Sequence, residues 1–103
     1  MKSKRTKACE IPASVKQRVY ERDKKCVLCE RFARGAGWSN AHFISRAHGG
    51  LGIEENILTL CPECHNRYDN SDARFALHDY FAEYLKSKYS DWDEMKLYYK
   101  KGV

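Results

Sequence analysis

The chain has 103 residues, 43% of them hydrophobic and 13% aromatic, with 19 Lys and Arg against 14 Asp and Glu for a formal net charge of +5. That length supports one domain with one small core and excludes a multidomain assembly, and the apolar content argues against wholesale disorder. No apolar run reaches the roughly 20 residues of a membrane span, and residues 1–7 lack the apolar stretch of a secretory signal, so a cytoplasmic protein with no membrane partner is expected.

Residues 1–10 read as a flexible basic arm and residues 11–103 as a single domain. Positive charge is concentrated early: residues 1–37 carry 11 Lys and Arg against 4 acids, and the remainder is slightly acidic. Such a block attracts phosphate backbones by releasing their counterions, although it also serves solubility alone. Ile11, Val15 and Val19 recur at i, i+4, i+8 and predict a short amphipathic helix, with Pro12 suited to its first turn. Lys16, Arg18, Arg22, Lys24 and Lys25 follow its outer face or its end, and Arg31 and Arg34 continue the basic stretch.

The helix leads into Cys26-Val-Leu-Cys29, separated by 31 residues from Cys61-Pro-Glu-Cys64, while Cys9 is left over and expected to be free on the arm. Two Cys-x-x-Cys pairs in a chain without a secretory signal predict a closed, structural four-thiolate Zn²⁺ site, because each pair can place two sulfurs about 2.3 Å from one tetrahedral ion. A pair of redox motifs is the competing reading. Between the pairs, residues 34–37 predict a loop, 38–44 a strand, 45–52 a glycine-rich loop and 57–60 a second strand. Pro62 then opens a helix carrying Glu63, Cys64, His65 and Asp69.

Residues 71–101 are expected to form C-terminal helices. Leu77, Tyr80, Phe81, Tyr84 and Leu85 have helical spacing, which favours core packing over base stacking. Ser90 and Asp93 suggest a capping box for a last helix with Trp92, Met95 and Tyr99 on one face, ending in Lys100-Lys-Gly102.

The chemistry lies between the cysteine pairs, where His42 falls on the first strand, Asn56 just before the second, and His65 on the helix directly after Cys64. The ordered segments Arg22-Asp23-Lys-Lys-Cys26-Val-Leu-Cys29, Ala41-His42-Phe-Ile-Ser-Arg46 and Glu55-Asn56-Ile-Leu-Thr-Leu60-Cys61-Pro-Glu-Cys64-His65 resemble the HNH nucleases of the ββα-metal (His-Me finger) group, in particular the small phage and prophage type. The resemblance covers residues 11–69, with its core motif over 22–69. It implies an α+β fold with a ββα-metal motif, a four-cysteine zinc site and flanking N- and C-terminal helices.

The same resemblance implies a metal-dependent endonuclease with DNA as partner, acting in a bacterial host cytoplasm if phage-encoded; protein partners stay open, with phage packaging proteins among those the family suggests. His42 matches the general base, and an ordinary imidazole pKa of about 6.5 leaves much of it neutral at pH 7. Asn56 matches the residue that ties the loop between the strands and so aims His42. His65, with Asp69 one helical turn further on, matches the site of the catalytic divalent ion, Mg²⁺ or Mn²⁺ with Ni²⁺ or Zn²⁺ also tolerated. Arg46, Arg22, Lys24 and Lys25 are the expected phosphate contacts.

Plainer readings stand beside these. His42 also reads, like many strand histidines, as a half-buried hydrogen-bonding group; His65 as a spare ligand of the structural zinc; Asn56 as a turn cap; Asp69 as a helix-terminal residue; His48 as a solvent-facing loop residue; His78 as a structural one. One departure matters: the family usually has Asp, Glu or His directly before the general base, and here that position is Ala41. Either the ion is held by His65, Asp69 and waters or substrate phosphate, or a nearby group such as Asn40 or His48 substitutes, or the site is crippled, so the alternative function is a catalytically weak or inactive zinc-stabilised DNA-binding module. A protein-interaction adaptor using the C-terminal helices is a third class.

Overall fold

The computed structural model describes residues 2–31 and 38–100; the loop expected at 34–37, with Arg34, and the end expected at Lys101-Gly102 lie outside them. Elements run α1 (Lys4–Cys9), α2 (Ala13–Asp23), β1 (Ser39–His42), β2 (Ile57–Leu60), α3 (Pro62–Asn70) and α4 (Arg74–Lys88), with single 3-10 turns at Arg46–His48, Glu54–Asn56 and Glu94–Leu97. No helix among the described residues is long and apolar enough to cross a membrane.

Residues 4–9, expected within a flexible arm, form α1 instead. Ser3 caps it by accepting from the Thr6 amide at 3.1 Å, and the helix docks on the loop after β1. Arg5 Nη2 donates to the carbonyls of Arg46 and Ala47 at 3.1 and 3.0 Å, and the Gly52 amide donates to the Ala8 carbonyl at 2.9 Å. Cys9 is a free thiol as expected, but it is buried and not carried on a mobile segment. Glycine is required at position 52, because a Cβ there would stand 1.7 Å from the Glu10 carbonyl oxygen.

Pro12 stands just before α2, whose Val15 and Val19 pack with Ile57 of β2 as their spacing predicts, and Ile11 closes the same cluster. β1 and β2 pair antiparallel, from Ser39 opposite Leu60 to His42 opposite Ile57. β1 is shorter than expected because the backbone at Phe43 and Ile44 turns to bond Asn56. α3 and α4 cover the sheet around Tyr68, Phe81 and Leu85, with the Tyr68 and Phe81 rings edge-to-face at 5.0 Å.

The last expected helix is a single 3-10 turn. Asp93, not Ser90, caps it by accepting from the Met95 amide, Leu97 is its buried residue, and Met95 is 66% exposed. The turn stops because its end bonds elsewhere: the Leu51 amide donates to the Leu97 carbonyl at 2.9 Å and the Tyr99 amide to the Gly49 carbonyl at 2.7 Å, which draws residues 98–99 out into an extended strap beside the loop.

Arg22 also departs from expectation. Its side chain turns inward instead of toward phosphate and uses all its N–H groups: Nε and Nη2 on the Asp23 carboxylate at 2.6 and 2.9 Å, Nη1 on the Glu54 carbonyl and the Tyr89 hydroxyl, and Nη2 also on the Ile57 carbonyl. Asp23, fully buried, further accepts from the Thr59 amide at 3.0 Å and the Tyr84 hydroxyl at 2.5 Å. This pair ties α2, β2 and α4 together. Removing one partner strands the other charge in the interior, so Asp23→Ala is expected to cost about 3–5 kcal/mol in denaturant unfolding of the zinc-loaded protein. A loss below about 1 kcal/mol would show that the network carries little of the stability.

Candidate metal centre and cleft

Cys26 and Cys29 sit on the tight turn after α2, and Cys61 and Cys64 straddle the junction of β2 and α3. Their four sulfurs lie within 4.8 Å of one another, with Cys29 and Cys61 Sγ 3.7 Å apart. Four sulfurs about 2.3 Å from one tetrahedral ion are spaced by roughly 3.8 Å, so the set fits Zn²⁺ held with no open position. Convergence on one point is not the arrangement of two separate redox pairs.

Arg31 braces this cluster, Nε donating to Cys29 Sγ and Nη2 to Cys61 Sγ at 3.4 Å each, and its guanidinium holds the Cys29 thiol down to about 6. Burial pushes the Cys64 thiol up. An ion reverses that preference by favouring thiolates throughout. Neither Cys9 nor His65 belongs to the group.

On another side of the sheet an open cleft of about 590 Å³ is lined by His42, His65, Asp69, Asn40, Lys16 and Arg46, with Ser45, Glu10 and Ile11 completing its wall. His42 Nε2 lies 2.8 Å from the Cys9 carbonyl oxygen. A carbonyl only accepts, so Nε2 carries the proton and the neutral ring keeps its lone pair on Nδ1. Burial pulls the His42 pKa below the ordinary imidazole value; the Cys9 carbonyl opposes this, while Arg46 and His65 add to it.

Asn56 is fully buried and spends its amide on the loop between the strands. Oδ1 accepts from the Ile44 amide at 2.8 Å, and Nδ2 donates to the carbonyls of Ile44 and Leu51 at 3.2 and 2.8 Å. Gly50 makes this closeness possible, since a Cβ there would stand 1.6 Å from the Ile44 carbonyl oxygen. His65 and Asp69, one turn apart on α3, bring Nε2 and Oδ2 to 2.9 Å. That is the distance of a direct hydrogen bond, and it is also compatible with two ligands at a right angle on an ion with bonds of about 2.1 Å.

Ala41 points the other way, buried in the core cluster with Leu58 and Leu60, while Asn40 and His42 face the cleft. A carboxylate at position 41 would therefore enter the core. Of the two substitutes considered, Asn40 lines the cleft, whereas His48 does not and has its Nδ1 on the Ser45 hydroxyl at 2.9 Å. His78 stacks on Phe43 and pairs with Glu94, a structural role.

Of the expected phosphate contacts, Arg46 borders the cleft. Lys24 is the exposed C-terminal cap of α2 and Lys25 pairs with Glu30, neither lining it. Arg18 pairs with Glu54 and Arg31 with the thiols and Glu63, both at the surface, so several of the early basic side chains have protein partners of their own. Ser39, which the sequence reading did not single out, lies 2.5 Å from His65 Nδ1 through its hydroxyl. Only the packing of α3 on β1 reveals it.

The family model described as HNH endonuclease matches residues 26–71, from the first thiol pair to the end of α3. Anaredoxin of Nostoc sp. (strain PCC 7120 / SAG 25.82 / UTEX 2576) is 30% identical over 54 residues, which are 52% of this chain and 68% of that protein.

Proposed function

The chain belongs to the HNH endonuclease family, and from that membership we propose that it is a metal-dependent endonuclease hydrolysing DNA phosphodiester bonds with His42 as general base. The observation that carries this reading is the convergence in one cleft of His42 with the His65–Asp69 pair, whose 2.9 Å spacing suits a divalent cation. That ion, Mg²⁺ or Mn²⁺ by its donor set and Ni²⁺ or Zn²⁺ by the tolerance of imidazole, supplies positive charge at the scissile phosphate and the leaving 3′ oxygen when bound.

The protein's own groups do the rest. Nδ1 of His42 takes a proton from the attacking water, and the Cys9 carbonyl, holding Nε2–H, fixes the tautomer that makes this possible. Asn56 keeps the loop after β1 closed, so that Arg46 stays at the cleft and His42 keeps its aim. Lys16 and Arg46 bind phosphate oxygens.

Relaxation of supercoiled plasmid tests the reading. Cleavage is expected with Mg²⁺ or Mn²⁺ and none in chelator. Binding to unrelated duplexes is expected to be similar, with a log–log salt slope of about −2 if Lys16 and Arg46 neutralise one phosphate each. Intact plasmid with all four metals, together with salt-dependent binding, would favour the second reading, a binding module; its support is that the cleft pairs only His65 and Asp69 as strong donors, since position 41 faces the core. Absence of DNA binding would remove both.

A further inference from the structure

The geometry points to Ser39 as the positioning residue that prepares His65 to hold the divalent ion. This rests on the reading of the cleft as a metal centre and adds to it a side chain that touches neither ion nor substrate. Imidazole can ligate through Nε2 only when the ring proton is on Nδ1, and the partner of the other nitrogen decides where that proton sits.

In this chain the partner is a hydroxyl, Ser39 Oγ, 2.5 Å from Nδ1 and 3.4 Å from the Leu60 carbonyl oxygen across the strand pair. A hydroxyl both donates and accepts. When its proton turns to the Leu60 carbonyl, Oγ accepts from Nδ1–H and the Nε2 lone pair faces Asp69 Oδ2, ready for a cation. When its proton turns to Nδ1, Nε2–H donates to Asp69 instead, and the same side chains form a closed hydrogen-bonded chain without an ion. Ser39 thus lets one neutral imidazole serve both states by rotation of a single O–H bond. Its backbone is fixed opposite Leu60 at the end of the β1–β2 pair, which holds the hydroxyl against α3.

The test uses the full zinc-loaded chain. Ser39→Ala is expected to weaken Mn²⁺ binding, measured by electron paramagnetic resonance, by about 10- to 100-fold, with zinc content and melting temperature unchanged. Ser39→Thr, which restores the hydroxyl on a residue suited to a strand, is expected to recover most of the affinity. Long-range proton–nitrogen correlation in the wild type is expected to place the His65 ring proton on Nδ1 once Mg²⁺ is added.

Ser39→Ala binding Mn²⁺ as tightly as wild type would overturn the role of Ser39 while leaving the metal centre in place, whereas a Mg²⁺-loaded wild type with its His65 proton on Nε2 would remove that nitrogen as a ligand and overturn this inference with it. Wild-type protein that binds no Mn²⁺ beyond its zinc would overturn the metal centre and this inference together. Should Ser39→Ala fail to fold, Ser39→Thr against the isosteric Ser39→Val decides: equal Mn²⁺ affinity in the two would overturn the role of the hydroxyl.

Discussion

Stripping the four-cysteine site of its metal is expected to unfold the domain. Cys26, Cys61 and Cys64 are buried, so without an ion the interior must hold thiols or thiolates with little else to satisfy them, and burial already drives the Cys64 thiol upward. With the ion, the turn after α2 is tied to the start of α3, and these segments flank the strand on which the core is built. In small zinc domains this coupling is worth about 10 kcal/mol or more, comparable with the whole stability of a domain this size. Circular dichroism during chelation should show cooperative loss of helix, reversed by added Zn²⁺, and Cys61→Ser should not fold at 37 °C. A Cys61→Ser protein melting as wild type, or purified protein without tightly held zinc, would remove this site from the account of the fold.

Replacing His42 by alanine is expected to leave the fold, the zinc and Mn²⁺ binding intact and to lower plasmid cleavage by about 10²- to 10⁴-fold, the range for losing a positioned general base. Added imidazole should restore part of the rate, because the side chain removed leaves room at the wall of an open cleft. The pH profile separates a base from a merely structural histidine. Burial depresses the His42 pKa, so the neutral, proton-accepting form persists as pH falls past the ordinary value of about 6.5 and is lost only as pH passes below the depressed one. The acidic limb of cleavage should accordingly lie below pH 6.5 and disappear in His42→Ala rescued by imidazole, replaced by the titration of imidazole itself. An unchanged rate in His42→Ala would remove His42 from the chemistry.

Much of this was legible in the residues because the signals were local. Cys-x-x-Cys is a turn-sized motif, and the apolar spacing of α2 and α4 repeats within the window it describes. The one-turn separation of His65 and Asp69 fixes their common face whatever else the chain does. The place of Asn56 just before β2 predicts a tie to the loop between the strands, and its three side-chain bonds fall on that loop.

What failed was long-range. A run of Lys and Arg gives no hint of which members a carboxylate or carbonyl will capture, and Arg22 went to Asp23, Glu54, Ile57 and Tyr89, beyond the reach of any periodicity. The N-terminal stretch looked unstructured because six helical residues cannot stabilise themselves; docking on Gly52 and the Arg46 turn supplies what propensity lacks. The last turn stopped early because the Leu97 carbonyl accepts from the Leu51 amide and the Tyr99 amide donates to the Gly49 carbonyl, both far back along the chain.

The sequence by itself determined the zinc set, the ββα order and the presence of a His-Asn-His series, since each depends on residue type and short spacing. Only the tertiary structure decided which nitrogen of His42 holds the proton, that Ala41 faces the core, and that a serine on β1 stands behind His65. The reason is physical: identity and spacing fix which groups a chain possesses, whereas a tautomer, a buried face or a hydrogen-bond partner depends on atoms brought together from segments tens of residues apart.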